Sequence, residues 1–147
     1  MKDEQLKLLT ALYKNIKMGV QSIEELLPIV KSENLAIEMT NQLGKYEILA
    51  KEVEMIAKTE NLPIKDNNWL DKTMLSGSIK MKTMTNKSAQ NIAQMLIIGT
   101  LMGIIDIIKE KSKCQEIPDS IMEIAKKLET MQEENLDKLK PYLEFCD

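Results

Sequence analysis

Residues 6–30 read LKLLTALYKNIKMGVQSIEELLPIV, and this stretch decides the fold. Its apolar side chains recur at alternating spacings of three and four residues: Leu6, Leu9, Tyr13, Ile16, Val20, Ile23, Leu27 and Val30. This spacing is typical of a helix that buries one continuous seam against other helices. The sequence therefore predicts a first helix over residues 3–30, and the rest of the chain has to supply its partners.

Three further helices are predicted by the same reasoning, over residues 33–60, 86–112 and 117–143. Ser32 and Ser88 can cap the second and third helices, and Pro118 suits the first turn of the fourth. The connections are short, long and short, and the long one covers residues 61–85. The sequence thus predicts one all-α domain over residues 1–147, a four-helix bundle whose two up-down pairs are joined by a crossover between the second and third helices.

The composition excludes much of the chemistry that an enzyme could use. There is no histidine, which removes Ser-His-Asp and Cys-His catalysis and every metal site with an imidazole ligand. All basic side chains are lysines and the net charge is −3, so neither guanidinium forks nor overall positive charge favour nucleic-acid binding. We expect no nucleic-acid partner, no cofactor and no catalytic residues.

No targeting or membrane-spanning segment is recognisable in the sequence. The first residues are charged, and the longest apolar stretch, residues 93–108, is interrupted by polar side chains. That stretch is shorter than the roughly 20 residues that a membrane-spanning helix needs. We therefore expect a cytoplasmic protein without a transmembrane span.

Local patterns in the predicted helices resemble the ferritin-like superfamily, in particular its rubrerythrin-type and bacterioferritin-type bundles. Residues 132–135, QEEN, are similar to the family's closing Glu-x-x-His motif, with Gln132 and Asn135 at the ligand positions. Residues 46–50, YEILA, are similar to the region of the other such motif. The resemblance covers nearly the whole chain and implies a ferritin-like four-helix bundle.

The resemblance also implies where a dinuclear metal centre would lie, and there this sequence departs from the family. The family's centre uses carboxylates from all four helices and two imidazoles, whereas this chain offers neutral amides at several of these positions. We expect the metal centre to be absent. The alternative is an iron- or manganese-dependent oxidoreductase or metal-storage protein with an unusual carboxylate site, whose nearest candidate ligands are Glu24, Glu47, Gln94 and Glu133.

Asn135 interrupts the apolar seam of the fourth helix and is expected to lie in the interior. A buried amide has to find hydrogen-bond partners, and we predict that Asn135 meets Tyr46 and Gln94 in an interior polar cluster. Two interpretations are open. The cluster is either an altered remnant of a functional site or a polar contact that fixes the register between helices.

The third predicted helix is apolar almost all round, which indicates that more than one of its faces is covered, either by the crossover or by another subunit. We predict a homodimer or another homo-oligomer with an interface formed by Ile97, Gly99, Gly103, Ile104 and Ile108.

In the crossover, residues 69–84 combine apolar side chains with lysines. We expect this segment to pack back along the bundle. The alternative is that the amphipathic pattern binds a membrane surface or a partner helix.

Overall fold

The computed structural model describes residues 2–64 and 86–144, and over these ranges the chain is helical without any β-strand. The long helices are α1 (Lys2–Leu26), α2 (Glu33–Thr59), α3 (Ala89–Ser112) and α4 (Asp119–Leu139). Short 3-10 helices, Leu27–Ile29 and Lys140–Glu144, follow α1 and α4. Over the described residues, the prediction of an all-α protein with four long helices is confirmed.

Local sequence sets where the helices begin and end. Ser32 and Ser88 each accept a hydrogen bond through Oγ from the backbone N–H three residues further on, which caps α2 and α3. The third helix consequently begins at Ala89 and not at residue 86. Pro28 lies in the 3-10 segment after α1, because a proline removes a backbone donor and ends the α-helical hydrogen bonding.

The helices form a square in which α1 contacts α2 and α3, and α4 contacts α3 and α2. Helices joined by short connections are antiparallel. Cys114, just after α3, lies with its Sγ 3.8 Å from the carbonyl oxygen of Glu4, so α1 and α3 are antiparallel as well. It follows that α2 and α3 run in the same direction, and the end of α2 lies at the opposite end of the bundle from the start of α3.

The core is aliphatic, as the composition predicts, and α1 dominates it. The largest fully buried side chains are Leu8, Leu9, Leu12, Ile16, Ile23, Leu26, Leu35, Met39, Ile92, Ile107 and Ile121. More than half of these belong to α1, which touches all three other helices. The stretch quoted at the outset therefore lies where the four helices converge. The predicted crossover begins with residues 61–64, while residues 65–85, including the amphipathic segment 69–84, lie outside the described residues.

Candidate functional site

Halfway along the bundle the aliphatic core is interrupted by a group of polar residues to which all four helices contribute. We call this group the polar layer, and its members are Asn15 of α1, Tyr46 of α2, Thr100 and Gly103 of α3, and Gln132 and Asn135 of α4. Four of the side chains, those of Tyr46, Thr100, Gln132 and Asn135, are buried. The layer carries no formal charge.

Three hydrogen bonds tie the polar layer together across the bundle. Asn15 Nδ2 donates to the backbone carbonyl oxygen of Gly103 at 2.8 Å, which fastens α1 to α3. Gln132 Nε2 donates to Asn15 Oδ1 at 2.8 Å and to the Tyr46 hydroxyl oxygen at 3.4 Å. Asn15 therefore contacts the backbone of one neighbouring helix and the side chain of another, and these three bonds reach α3 at the Gly103 carbonyl.

Part of the polar layer's hydrogen-bonding capacity is not used. Asn135 is 0% exposed, yet neither its Nδ2 nor its Oδ1 has a hydrogen-bond partner among the described residues. The Oε1 atom of Gln132 is likewise buried without a partner there. Leaving a buried polar group unpaired costs about 1–3 kcal/mol. The polar layer is therefore a poor source of stability compared with the aliphatic core around it.

Tyr46 is the titratable group of the polar layer. Burial raises the pKa of the Tyr46 hydroxyl above its ordinary value of 10.0. Hydrogen bonding with Gln132 opposes that rise in pKa. The Tyr46 hydroxyl accordingly stays protonated at neutral pH.

Two glycines allow the polar layer to form. A Cβ atom at Gly19 would lie 2.6 Å from the Tyr46 ring, and one at Gly103 would lie 2.7 Å from Gln132 Nε2. Both distances are far shorter than van der Waals contact, so any larger residue would displace the polar side chain. In contrast, Cβ atoms at Gly44 and Gly99 would meet nothing within 4 Å.

The weak metal-ligand candidates do not meet in the interior. Glu24, Glu47, Gln94 and Glu133 are all exposed. Across residues 2–64 and 86–144, no group of three or more acidic or cysteine side chains is placed to hold a metal ion. Since Gln94 lies on the surface of α3, it is not part of the interior cluster in which we placed it. Gln132 occupies the position beside Tyr46 that we assigned to Gln94.

The outer face of α3 is apolar although it faces solvent. Five side chains on this face are 44–60% exposed, and we call them the outer stripe: Ile98, Leu101, Met102, Ile105 and Ile108. Exposed polar residues, Gln94 and Lys109, bound the stripe at its two ends.

The predicted interface residues divide between the two sides of α3. Ile108 belongs to the outer stripe. Gly99, which follows Ile98 of the stripe in the sequence, is also exposed. Ile97 and Ile104 are partly buried, and Ile97 packs against the core. Gly103 faces the polar layer. The surplus apolar surface thus lies on α3 as expected, but most of it is carried by other residues than those we named.

By length and composition alone, α3 is also the one helix in the described part of the chain that could cross a membrane. Its most apolar 18-residue window has a mean hydropathy of 1.8, and 28% of that window is buried in the bundle. Core helices of soluble proteins often pass the same test, so this property does not by itself assign a membrane role.

Sequence reasoning missed Asn15 and Thr100 as members of the polar layer. Asn15 immediately precedes Ile16 of the buried seam, and nothing in the periodicity distinguishes it from a surface residue. Thr100 lies in a helix whose apolar residues obscure which face is inward.

Comparisons of this chain with protein-family models, curated proteins and solved structures found no match.

Proposed function

We propose that this chain is a ferritin-like four-helix bundle without catalytic activity, and that it acts by associating with a second copy of itself through the outer stripe of α3. The observation that carries the proposal is the contiguous apolar surface of five large side chains on a helix face that is otherwise solvent-exposed. An apolar patch of this kind on a folded domain is typical of a docking surface.

The spacing of the outer stripe favours a second copy as the partner. Ile98, Leu101, Ile105 and Ile108 follow one another at intervals of three, four and three residues, a pattern that reads the same in both directions. When two such helices pack antiparallel about a two-fold axis near residue 103, Ile98 lies opposite Ile108 and Leu101 lies opposite Ile105. A two-fold interface requires this kind of self-complementary surface.

The size of the outer stripe sets the expected strength of the dimer. At 44–60% exposure, the five side chains present roughly 500 Å² of apolar surface, as large as the main patch on many monomers. Two stripes packed face to face would bury about 1,000 Å², which is the lower limit for a specific interface. We therefore expect a weak dimer, with a dissociation constant in the micromolar range.

The ferritin-like assignment is supported by helix order and by the position of the polar layer. The arrangement in which α2 and α3 run in the same direction at opposite corners of the square fits a bundle with one long crossover. The polar layer draws on all four helices, as a ferritin-like centre does, but it consists of neutral side chains. Neutral amides are weak ligands and cannot balance the charge of two metal ions, which favours association over redox chemistry.

The length of the outer stripe favours a protein partner over a bilayer. Ten residues separate Ile98 from Ile108, so the stripe is about 15 Å long at 1.5 Å per residue. The hydrocarbon core of a membrane is about 30 Å thick. The polar residues at both ends of the stripe would enter that core if α3 crossed it. A location in the cytoplasm fits this interpretation and stays a prediction.

Analytical ultracentrifugation of the full chain between about 1 and 200 µM tests the proposal. The wild type should pass from monomer to dimer over this range, and Ile105→Glu should stay monomeric because it places a charge in the apolar contact. A hundredfold loss of affinity, on the order of 3 kcal/mol, is expected. Ile48→Glu is the matched control: Ile48 is 63% exposed on α2, away from the stripe, and this variant should dimerise normally.

A wild type that stays monomeric at 200 µM would overturn the proposed function. The folding stability of Ile105→Glu then identifies the alternative. If it unfolds at much lower urea concentration than Ile48→Glu, the outer stripe is covered within the same chain. If both variants keep wild-type stability and wild type binds vesicles while Ile105→Glu does not, the stripe contacts a membrane.

A further inference from the structure

We infer that the polar layer is a positioning device, which holds α3 so that the outer stripe faces a second copy of the chain. This inference rests on the proposed function. Its basis is that the inner attachment point of α3 and the symmetry centre of its outer stripe are the same residue. Asn15 donates to the carbonyl oxygen of Gly103, and Gly103 lies midway between Ile98 and Ile108.

The attachment at Gly103 is specific in direction. A hydrogen bond weakens steeply as its donor–hydrogen–acceptor angle departs from linear, so the bond from Asn15 restricts both the height of α3 and its rotation about its own axis. An aliphatic contact has no such directionality. The Asn15 amide is itself fixed, because its Oδ1 accepts from Gln132 at 2.8 Å. The rotation of α3 determines which side chains face outward, and hence the form of the outer stripe.

The absence of a side chain at position 103 is what allows this close approach. A methyl group there would lie 2.7 Å from Gln132 Nε2 and 2.9 Å from Asn15 Oδ1, the two atoms that hydrogen-bond to each other. The methyl group would have to break that pair or push α3 outward. Gly44 also lies inside a helix, α2, and a Cβ atom there would meet nothing within 4 Å, so Gly44→Ala serves as the matched control.

The energetic cost of the polar layer also argues for positioning. Among the described residues, three buried polar atoms of Asn135 and Gln132 have no hydrogen-bond partner, and each such atom costs about 1–3 kcal/mol. Apolar residues of the same shape would avoid that cost. A buried polar residue that lowers stability but fixes helix alignment is well attested in coiled coils. Here the helix that is aligned carries the proposed interface.

The test compares Gly103→Ala with Gly44→Ala in the full chain. Dimer affinity is measured by ultracentrifugation under conditions in which circular dichroism and urea titration show each variant to be folded. Gly103→Ala should dimerise at least fivefold more weakly than wild type, whereas Gly44→Ala should stay within about twofold. A residue with a purely structural role would change the urea midpoint without changing the affinity of the folded protein.

Asn15→Ala is the second variant, used because Gly103→Ala could fail to fold. It removes the bond to the Gly103 carbonyl without adding volume, and it should also weaken dimerisation at least threefold. If wild type dimerises and every folded variant of this set matches its affinity, the inference is overturned while the proposed function stands. If wild type does not dimerise, the proposed function has failed, and the inference fails with it.

Discussion

The helix α3 differs from an ordinary bundle helix because both of its faces are largely apolar. Its inner face packs Ile92 and Ile107 into the core, and polar groups of Asn15 and Gln132 meet it at Gly103. Its outer face carries Ile98, Ile105 and three further large apolar side chains in solvent. In α1 the usual order holds: its inner seam is aliphatic, and Met18 is its only exposed large hydrophobic residue among those described.

The two faces of α3 have different tasks. Polar contacts inside the bundle contribute direction rather than much stability, since some of their atoms have no hydrogen-bond partner among the described residues. Apolar contacts on the outside contribute affinity for a partner and little to folding, since they are half-exposed in the single chain. A substitution in the outer stripe should therefore affect association and leave folding unchanged, whereas one in the polar layer should affect folding and, through the position of α3, association as well.

The largest expected contrast is between a negative charge placed in the polar layer and a negative charge placed in the outer stripe. Asn135→Asp would bury an unpaired carboxylate and should lower the free energy of unfolding by about 3–5 kcal/mol at pH 7. Ile105→Glu should change it by less than about 0.5 kcal/mol, because that position is exposed in the monomer. Urea denaturation of both variants at about 1 µM, where we expect monomers, makes the comparison.

The pH dependence of Asn135→Asp provides its control. Burial should raise the pKa of the new carboxyl above its value in the unfolded chain, which is about 3.9. The unfolded state then releases its proton first as pH rises, so stability is lost above pH 4 and largely regained below it, relative to wild type. Equal losses at both pH values would mean that the substitution acts through packing and not through charge.

A smaller effect is expected from Tyr46. Since burial raises the pKa of its hydroxyl above 10.0, the unfolded chain ionises at lower pH than the folded one. The resulting contribution to stability is fully present below pH 10 and falls as pH rises through the folded pKa, by at most about 1.4 kcal/mol per pH unit. Tyr46→Phe should abolish that part of the alkaline slope in urea titrations between pH 8 and about pH 11.

Tyr142 offers the matched control for this titration. Burial, and to a lesser extent Glu38, raises the pKa of its hydroxyl too, but its side chain is only partly buried near the end of the chain. Tyr142→Phe should accordingly remove less of the alkaline slope than Tyr46→Phe. A larger effect at Tyr142 would contradict the view that the polar layer is the more enclosed environment.

The sequence predicts the helices well because an amphipathic seam is a local property. The seam of α1 can be read from residues 6–30 alone, and the caps at Ser32 and Ser88 depend on residues within one turn. In α3 that signal fails, since apolar residues surround the helix and no period marks the inner face. Which isoleucines face outward is decided by packing against α1 and α4.

Only some members of the polar layer could be predicted from the sequence, because the inward face of α3 is not marked by any periodic pattern. Asn135 breaks an apolar seam, so its burial could be inferred, and Tyr46 lies on the inward face of α2. Gln94 was placed inside by likeness to a family motif, but it shares the exposed face of α3 with Ile98 and Leu101. The sequence does not show that Gly103 faces the polar layer, because the fit of a glycine depends on the side chain opposite it.

The most direct test of the central claim is disulfide cross-linking through the outer stripe. Ile98→Cys and Ile108→Cys are made separately in a Cys114→Ala, Cys146→Ala background and oxidised alone or mixed. Antiparallel pairing predicts a cross-linked dimer in the mixture but not from Ile98→Cys alone, whose two cysteines would lie about 15 Å apart, beyond the roughly 7 Å that a disulfide spans. Efficient cross-linking of Ile98→Cys alone, or no cross-link in the mixture, would contradict the account.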